Sequence, residues 1–167
     1  MPTGHAVADT LKALVHLHKE ADAPATRWRT DEIQPRYSPY PKTRRPPANG
    51  SWRSLIASAG NDQFMVFAQV QEHRENFKAW LALRHGEEWR ILVRLEYHGD
   101  HPGLHVHDWC GVKAPPIGGK SIDAPHRRPA TGARHRQCEV PTKTSFWMLA
   151  LNTFRVIPYG TEQEDLL

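Results

Sequence analysis

The sequence predicts an α+β fold organised around an antiparallel sheet, and three observations predict it. Four strand-like segments, Phe64 to Gln71, Phe77 to Arg84, Trp89 to His98 and Leu104 to Trp109, follow one another in the middle of the chain. About five residues connect each to the next, enough for an antiparallel neighbour and too few for the crossover a parallel neighbour needs. Helical spacing of apolar residues brackets this block at both ends. The expected order is an N-terminal amphipathic helix, a Pro/Arg-rich arm, a four-stranded antiparallel β-meander, a long basic loop and a C-terminal helix packed on the sheet.

Taken in order, Val7, Leu11, Leu14, Val15 and Leu17 recur at helical spacing after the potential cap Thr3, which predicts a helix over 5–20 that Pro24 closes. Residues 21–50 lose all periodicity. Pro24, Pro35, Pro39, Pro41, Pro46 and Pro47 interrupt them, with Arg27, Trp28, Arg29, Tyr37 and Tyr40 between, so they read as an extended basic arm or linker. Residues 51–157 hold the sheet and the C-terminal helix. In the third segment Trp89, Ile91, Val93, Leu95 and Tyr97 alternate with Arg90, Leu92, Arg94, Glu96 and His98, the pattern of a sheet with one face in the core and one partly wet. Residues 110–144 carry Gly, Pro and basic residues and read as a long loop with room for a short edge strand. Phe146, Leu149, Ala150 and Phe154 then mark one face of a helix over Ser145 to Val156, stopped by Pro158, and 158–167 form an acidic tail. All of 1–167 is expected to be one domain.

A hydrophobic share of 39%, with 11 glycines besides, marks a chain that can bury a core rather than a disordered one. No run of some 18 apolar residues occurs, and Asp9, His16, His18 and Lys19 interrupt the first twenty residues. A cytoplasmic protein without a membrane partner is expected, with Cys110 and Cys138 as reduced thiols and Asn49-Gly50-Ser51 as a turn. The net charge is +4 and the pI about 9.3. The excess is concentrated: Arg27 to Arg53 and Val112 to Lys143 each carry +5. Solvated loops would account for this, and so would a surface for phosphate or nucleic acid.

The stretch from Arg94 to Cys110 carries the chemistry. Alternation along a strand puts Arg94, Glu96 and His98 on one face, and His105 and His107 on one face of the next strand. If the register joins the two sets, a carboxylate, an arginine and three imidazoles fall within cross-strand reach. That set suits general acid and base work near neutral pH, with Arg94 holding developing negative charge. The competing expectation is a solvated sheet face that merely tolerates these side chains.

A metal site is the alternative chemistry. His105-x-His107-x-x-Cys110 offers ligands for zinc, with His101, His126, His135 or Cys138 to complete the set. Ala114 to Ser121 matches a loose phosphate-binding loop, but Pro115 and Pro116 remove two amide donors and Pro125 and Pro129 leave no helix to follow, so it carries nothing. Arg127 and Arg128, with Arg134 and Arg136, are better phosphate contacts, since Arg binds phosphate bidentately. Trp28, Tyr37 and Tyr40 are stacking partners for bases, or else staples of the arm.

The order of helix, antiparallel sheet and a polar sheet face bearing Glu, Arg and His is similar in outline to the small microbial ribonucleases and their toxin relatives. The similarity lies at the level of fold, and no stretch matches a signature of theirs. The expected function is a metal-independent, cofactor-free ribonuclease of toxin or defence type acting through Arg94, Glu96, His98, His105 and His107. The alternatives are a non-catalytic module, a regulator, adaptor or immunity-type protein that binds nucleic acid or a cognate protein, and a zinc-binding domain built from His105, His107, Cys110, His135 and Cys138.

Overall fold

The computed structural model describes residues 13–99, 103–108, 126–128 and 139–160. Eight strands form one sheet: β1 (Lys19–Ala21), β2 (Ser51–Ala59), β3 (Asp62–Gln71), β4 (Asn76–His85), β5 (Glu88–His98), β6 (Gly103–Asp108), β7 (His126–Arg128) and β8 (Val156–Ile157). Their spatial order is β7-β6-β5-β4-β3-β2-β1-β8. Every consecutive pair from β1 to β7 is antiparallel, whereas β8 returns to the far edge and runs parallel to β1.

The expected four-stranded meander is thus the middle of a wider sheet. β2 escaped the sequence pattern because Ser51, Ser54 and Ala57 fill inward positions that normally advertise a strand by their size; all three are buried. The expected helix over 5–20 is also corrected. Residues 13–16 are helical, residues 5–12 lie outside the described part, and Lys19–Ala21 is a strand. Lys19 explains the early stop. It is fully buried, and its Nζ donates to the carbonyls of Val15 (3.0 Å), Leu17 (2.8 Å) and Phe154 (2.9 Å), closing the ends of two helical segments. Burial, helped by nearby Arg155, lowers its pKa to about 8.

Helix α1 (Lys143–Phe154) begins two residues before the sequence pattern suggested, because Thr142 and Ser145 cap it reciprocally: Ser145 N donates to Thr142 Oγ1 and Thr142 N to Ser145 Oγ. It lays Phe146, Trp147, Ala150, Leu151 and Phe154 on one face of the sheet, against Phe77, Leu81, Leu95 and their neighbours. Val156, expected at the helix end, leaves it through Arg155 in the left-handed conformation and enters β8 with Ile157.

The arm covers part of the opposite face. It is tied to β2 by the isolated bridge of Arg29 with Trp52, doubles back on itself through the bridge of Ile33 with Arg44, and buries Ile33 among Trp52, Met65, Phe67 and Trp80. Tyr37, Trp52, Phe67, Trp80 and Tyr40 form a chain of rings with centroids 5.4 to 6.3 Å apart. Tyr37 and Tyr40 therefore staple the arm to the sheet. Trp28 turns to the other side and meets Trp147 edge-on.

One irregularity positions the site. Leu81 pairs with Val93 and Ala82 with Ile91, leaving Leu92 as an extra residue on β5. The bulge inverts the alternation, so Trp89 and Ile91 pack beneath the arm while Leu92, Val93, Leu95 and Tyr97 pack beneath α1. Strict alternation from Trp89 to Tyr97 is corrected accordingly. Arg94, Glu96 and His98 consequently share a face with the arm.

Candidate active site

Register sets the site. Lys78 pairs with Glu96 and Glu96 with His105, while Trp80 pairs with Arg94 and Arg94 with His107. Both rows continue to the arm-covered half of the sheet through Gln69 and Phe67. In these two rows the arm's aromatic packing ends at Trp80, and from Arg94 and Glu96 outward the face becomes polar.

At its centre is one carboxylate. Glu96 Oε2 lies 3.1 Å from His98 Nε2, 3.2 Å from His105 Nε2 and 3.1 Å from His107 Nε2. Its Oε1 lies 2.7 Å from Arg94 Nε and 3.5 Å from Lys78 Nζ. Glu96, His105 and His107 are buried, at 3%, 2% and 5% exposure, so this face is not the solvated surface that alternation alone suggested. His98, Lys78 and Arg94 are the members that solvent still reaches.

Burial by itself pushes the Glu96 pKa up. The hydrogen bond from His105, the short contact from His107 and the charges of Arg94 and Lys78 outweigh it and hold the carboxyl well below the usual carboxylate range. Glu96 is an anion at any physiological pH. Two basic side chains, Arg94 and Lys78, face this one anion.

The hydrogen bonds also constrain the rings. His105 Nδ1 is 2.9 Å from the carbonyl oxygen of Gly103, which only accepts, so Nδ1 carries a hydrogen. Its Nε2 can then donate to Glu96 only if the ring is an imidazolium; otherwise it presents a lone pair. His107 approaches the same oxygen, but among the described residues neither of its buried ring nitrogens has a hydrogen-bond partner.

Three cavities run beside this cluster along the same face. One of about 430 Å³ is lined by His73, Arg74, Glu75, Asn76, His98 and Gly99. A second, of about 320 Å³, shares Asn76 with the first and adds Arg44, Arg45 and Lys78. The third, of about 640 Å³, shares Arg44 and Lys78 with the second and reaches Tyr40, Trp80 and Arg94.

All five expected acid and base residues, Arg94, Glu96, His98, His105 and His107, are brought together. The expected metal set is not gathered in the described part, where Glu96 joins His105 and His107 instead. Cys110, His135, Cys138 and His101 lie outside the described residues, as do Arg134 and Arg136. Arg127 and Arg128 lie on β7, with Arg127 opposite His107 in register. Sequence reasoning missed Lys78, Arg44 and Arg45. Lys78 was legible as the one cation between Phe77 and Ala79, but only the register attaches it to Glu96. No protein-family model, curated protein or solved structure matches the chain.

Proposed function

We propose that the protein is a metal-independent ribonuclease acting at the polar face of the sheet. The observation that carries this reading is the convergence of His98, His105 and His107 on one Glu96 oxygen while Arg94 and Lys78 hold the other. With Glu96 ionised, His98 Nε2 donates to it, which leaves Nδ1 as the basic nitrogen of the neutral ring. His98 takes the proton of a ribose 2′-hydroxyl; the 2′-oxygen attacks phosphorus and the bond from phosphorus to the 5′-oxygen breaks. His73, which lines the same cavity, supplies the proton to the departing 5′-oxygen. The imidazolium formed on His98 is stabilised by Glu96, and Lys78 and Arg94 face the charge growing on phosphate. The products are a 2′,3′-cyclic phosphate and a 5′-hydroxyl.

Bulk RNA and single-stranded DNA, each incubated with and without chelator, test the reading. RNA alone should be cut, chelator should make no difference, and His98→Ala should lose at least about 100-fold in rate. Unchanged cleavage in that variant would remove the assignment.

One observation favours a second reading. The 3.1 and 3.2 Å separations of Glu96 Oε2 from His107 Nε2 and His105 Nε2 approach the roughly 3.3 Å edge of a tetrahedron drawn around zinc at its usual ligand distances. The bond from His105 to Gly103 has the form of a partner that orients a metal-bound imidazole. This reading predicts one equivalent of zinc by elemental analysis, and an active protein free of metal would exclude it.

A further inference from the structure

We infer that the groove between the arm and β4 is a binding track for a single nucleic-acid strand, with phosphates on Arg44, Arg45 and Lys78 and a base beside Tyr40 and Trp80. This rests on the ribonuclease reading and adds to it where, and in what form, the substrate lies. The central cavity is lined by three cations, Arg44, Arg45 and Lys78, and by the amides Gln69, Gln71 and Asn76, with no carboxylate among its lining residues. Such a lining is a phosphate site by composition. Arg44 and Arg45 are exposed; Arg45 lies 3.6 Å from Glu32 and Arg44 stacks on Tyr40, contacts that leave the guanidinium N–H edges facing solvent among the described residues.

Two unpaired polar groups accompany these cations. The Trp80 Nε1 donor and the Asn76 Oδ1 acceptor are buried without a hydrogen-bond partner among the described residues, and their residues line the two ends of the groove. A nucleobase edge bears both donors and acceptors to match them. Tyr40, half-buried and already stacked against Arg44 at 4.0 Å, supplies an aromatic face in the same cavity. Asn76, Lys78 and Trp80 are alternate residues of β4, so the track runs along that strand and delivers the chain to His98 at one end.

The test is binding, not cleavage. A fluorescein-labelled single-stranded deoxyoligonucleotide has no 2′-hydroxyl, so its anisotropy reports the groove whether or not the protein cuts RNA. The double variant Arg44→Gln, Arg45→Gln should bind it at least tenfold more weakly, with the slope of log K against log salt reduced by about 1.4. Its melting temperature should match the parent's. An abasic strand of the same length should bind at least about fivefold more weakly than the normal one. Unchanged affinity in the double variant overturns the track. Equal competition by inorganic triphosphate and the oligonucleotide overturns the strand in favour of a free polyphosphate.

Discussion

His105 and Glu96 face each other across β5 and β6 with 3.2 Å between Nε2 and Oε2, both nearly excluded from solvent, while the far side of the same imidazole donates to Gly103. This pairing makes the cluster a load on the fold. A carboxylate is held in the interior only because cations and donors surround it, and those donors are equally dependent on the carboxylate.

Glu96→Gln should therefore destabilise the protein at pH 7 by about 3–5 kcal/mol, because it leaves buried positive groups without their counter-charge. The pH dependence follows from the depressed pKa of Glu96 in the folded state. The stabilisation it contributes is fully present above its unfolded value of about 4.3 and is lost as pH falls from there toward the folded value. Urea melts from pH 7 downward should show the gap between parent and variant narrowing below about pH 4.5; a constant gap would contradict the ionised carboxylate.

Deleting Leu92 removes the bulge and restores strict alternation on β5. Ile91 then joins Val93 directly, and each remaining side chain of β5 keeps the face and the β4 partner it has in the parent. The expected outcome is a protein that keeps its cooperative thermal transition and loses about 2–5 kcal/mol with the buried Leu92 side chain. Leu92→Ala keeps the bulge and should cost a similar amount as an ordinary core truncation. A deletion variant without a cooperative transition would show that Leu92 is not the extra residue.

Lys19→Met keeps the length and apolar stem of the side chain and removes its three donors. The carbonyls of Val15, Leu17 and Phe154 then lose their shared partner. At about 1–3 kcal/mol for each buried group left unsatisfied, a net loss of several kcal/mol is expected, partly offset because the charged ammonium no longer has to be buried. Chemical denaturation measures it, and a variant as stable as the parent would remove Lys19 as the clasp between the helical ends.

Much of this was legible in the sequence where side-chain size and alternation report directly on burial. Phe64 to Gln71 and Phe77 to Arg84 are strands for the reason their patterns suggest, and His105-x-His107 predicts a shared face because a strand has period two. What was hidden depends on partners distant in sequence. Nothing in Leu92 announces a bulge, since an inserted apolar residue is indistinguishable from an ordinary one until its neighbour strand is aligned. Lys19 read as a polar helix position, yet it is buried because the end of α1, 135 residues away, supplies a carbonyl. The groove cations were legible only as part of a basic arm: Arg44 and Arg45 reach the groove because the arm doubles back through its bridge from Ile33 to Arg44 and Ile33 packs on the sheet beside Trp80.

If the Glu96 cluster moves protons rather than holding a metal, as we propose, the ends left on cleaved RNA record it. A short single-stranded RNA is incubated with protein stripped of metal and kept in excess chelator, and the products are resolved by mass. Fragments ending in 2′,3′-cyclic phosphate with 5′-hydroxyl partners are expected from the parent and not from His98→Ala. Intact RNA under chelation, with cleavage restored by zinc and ends of linear phosphate, would contradict it.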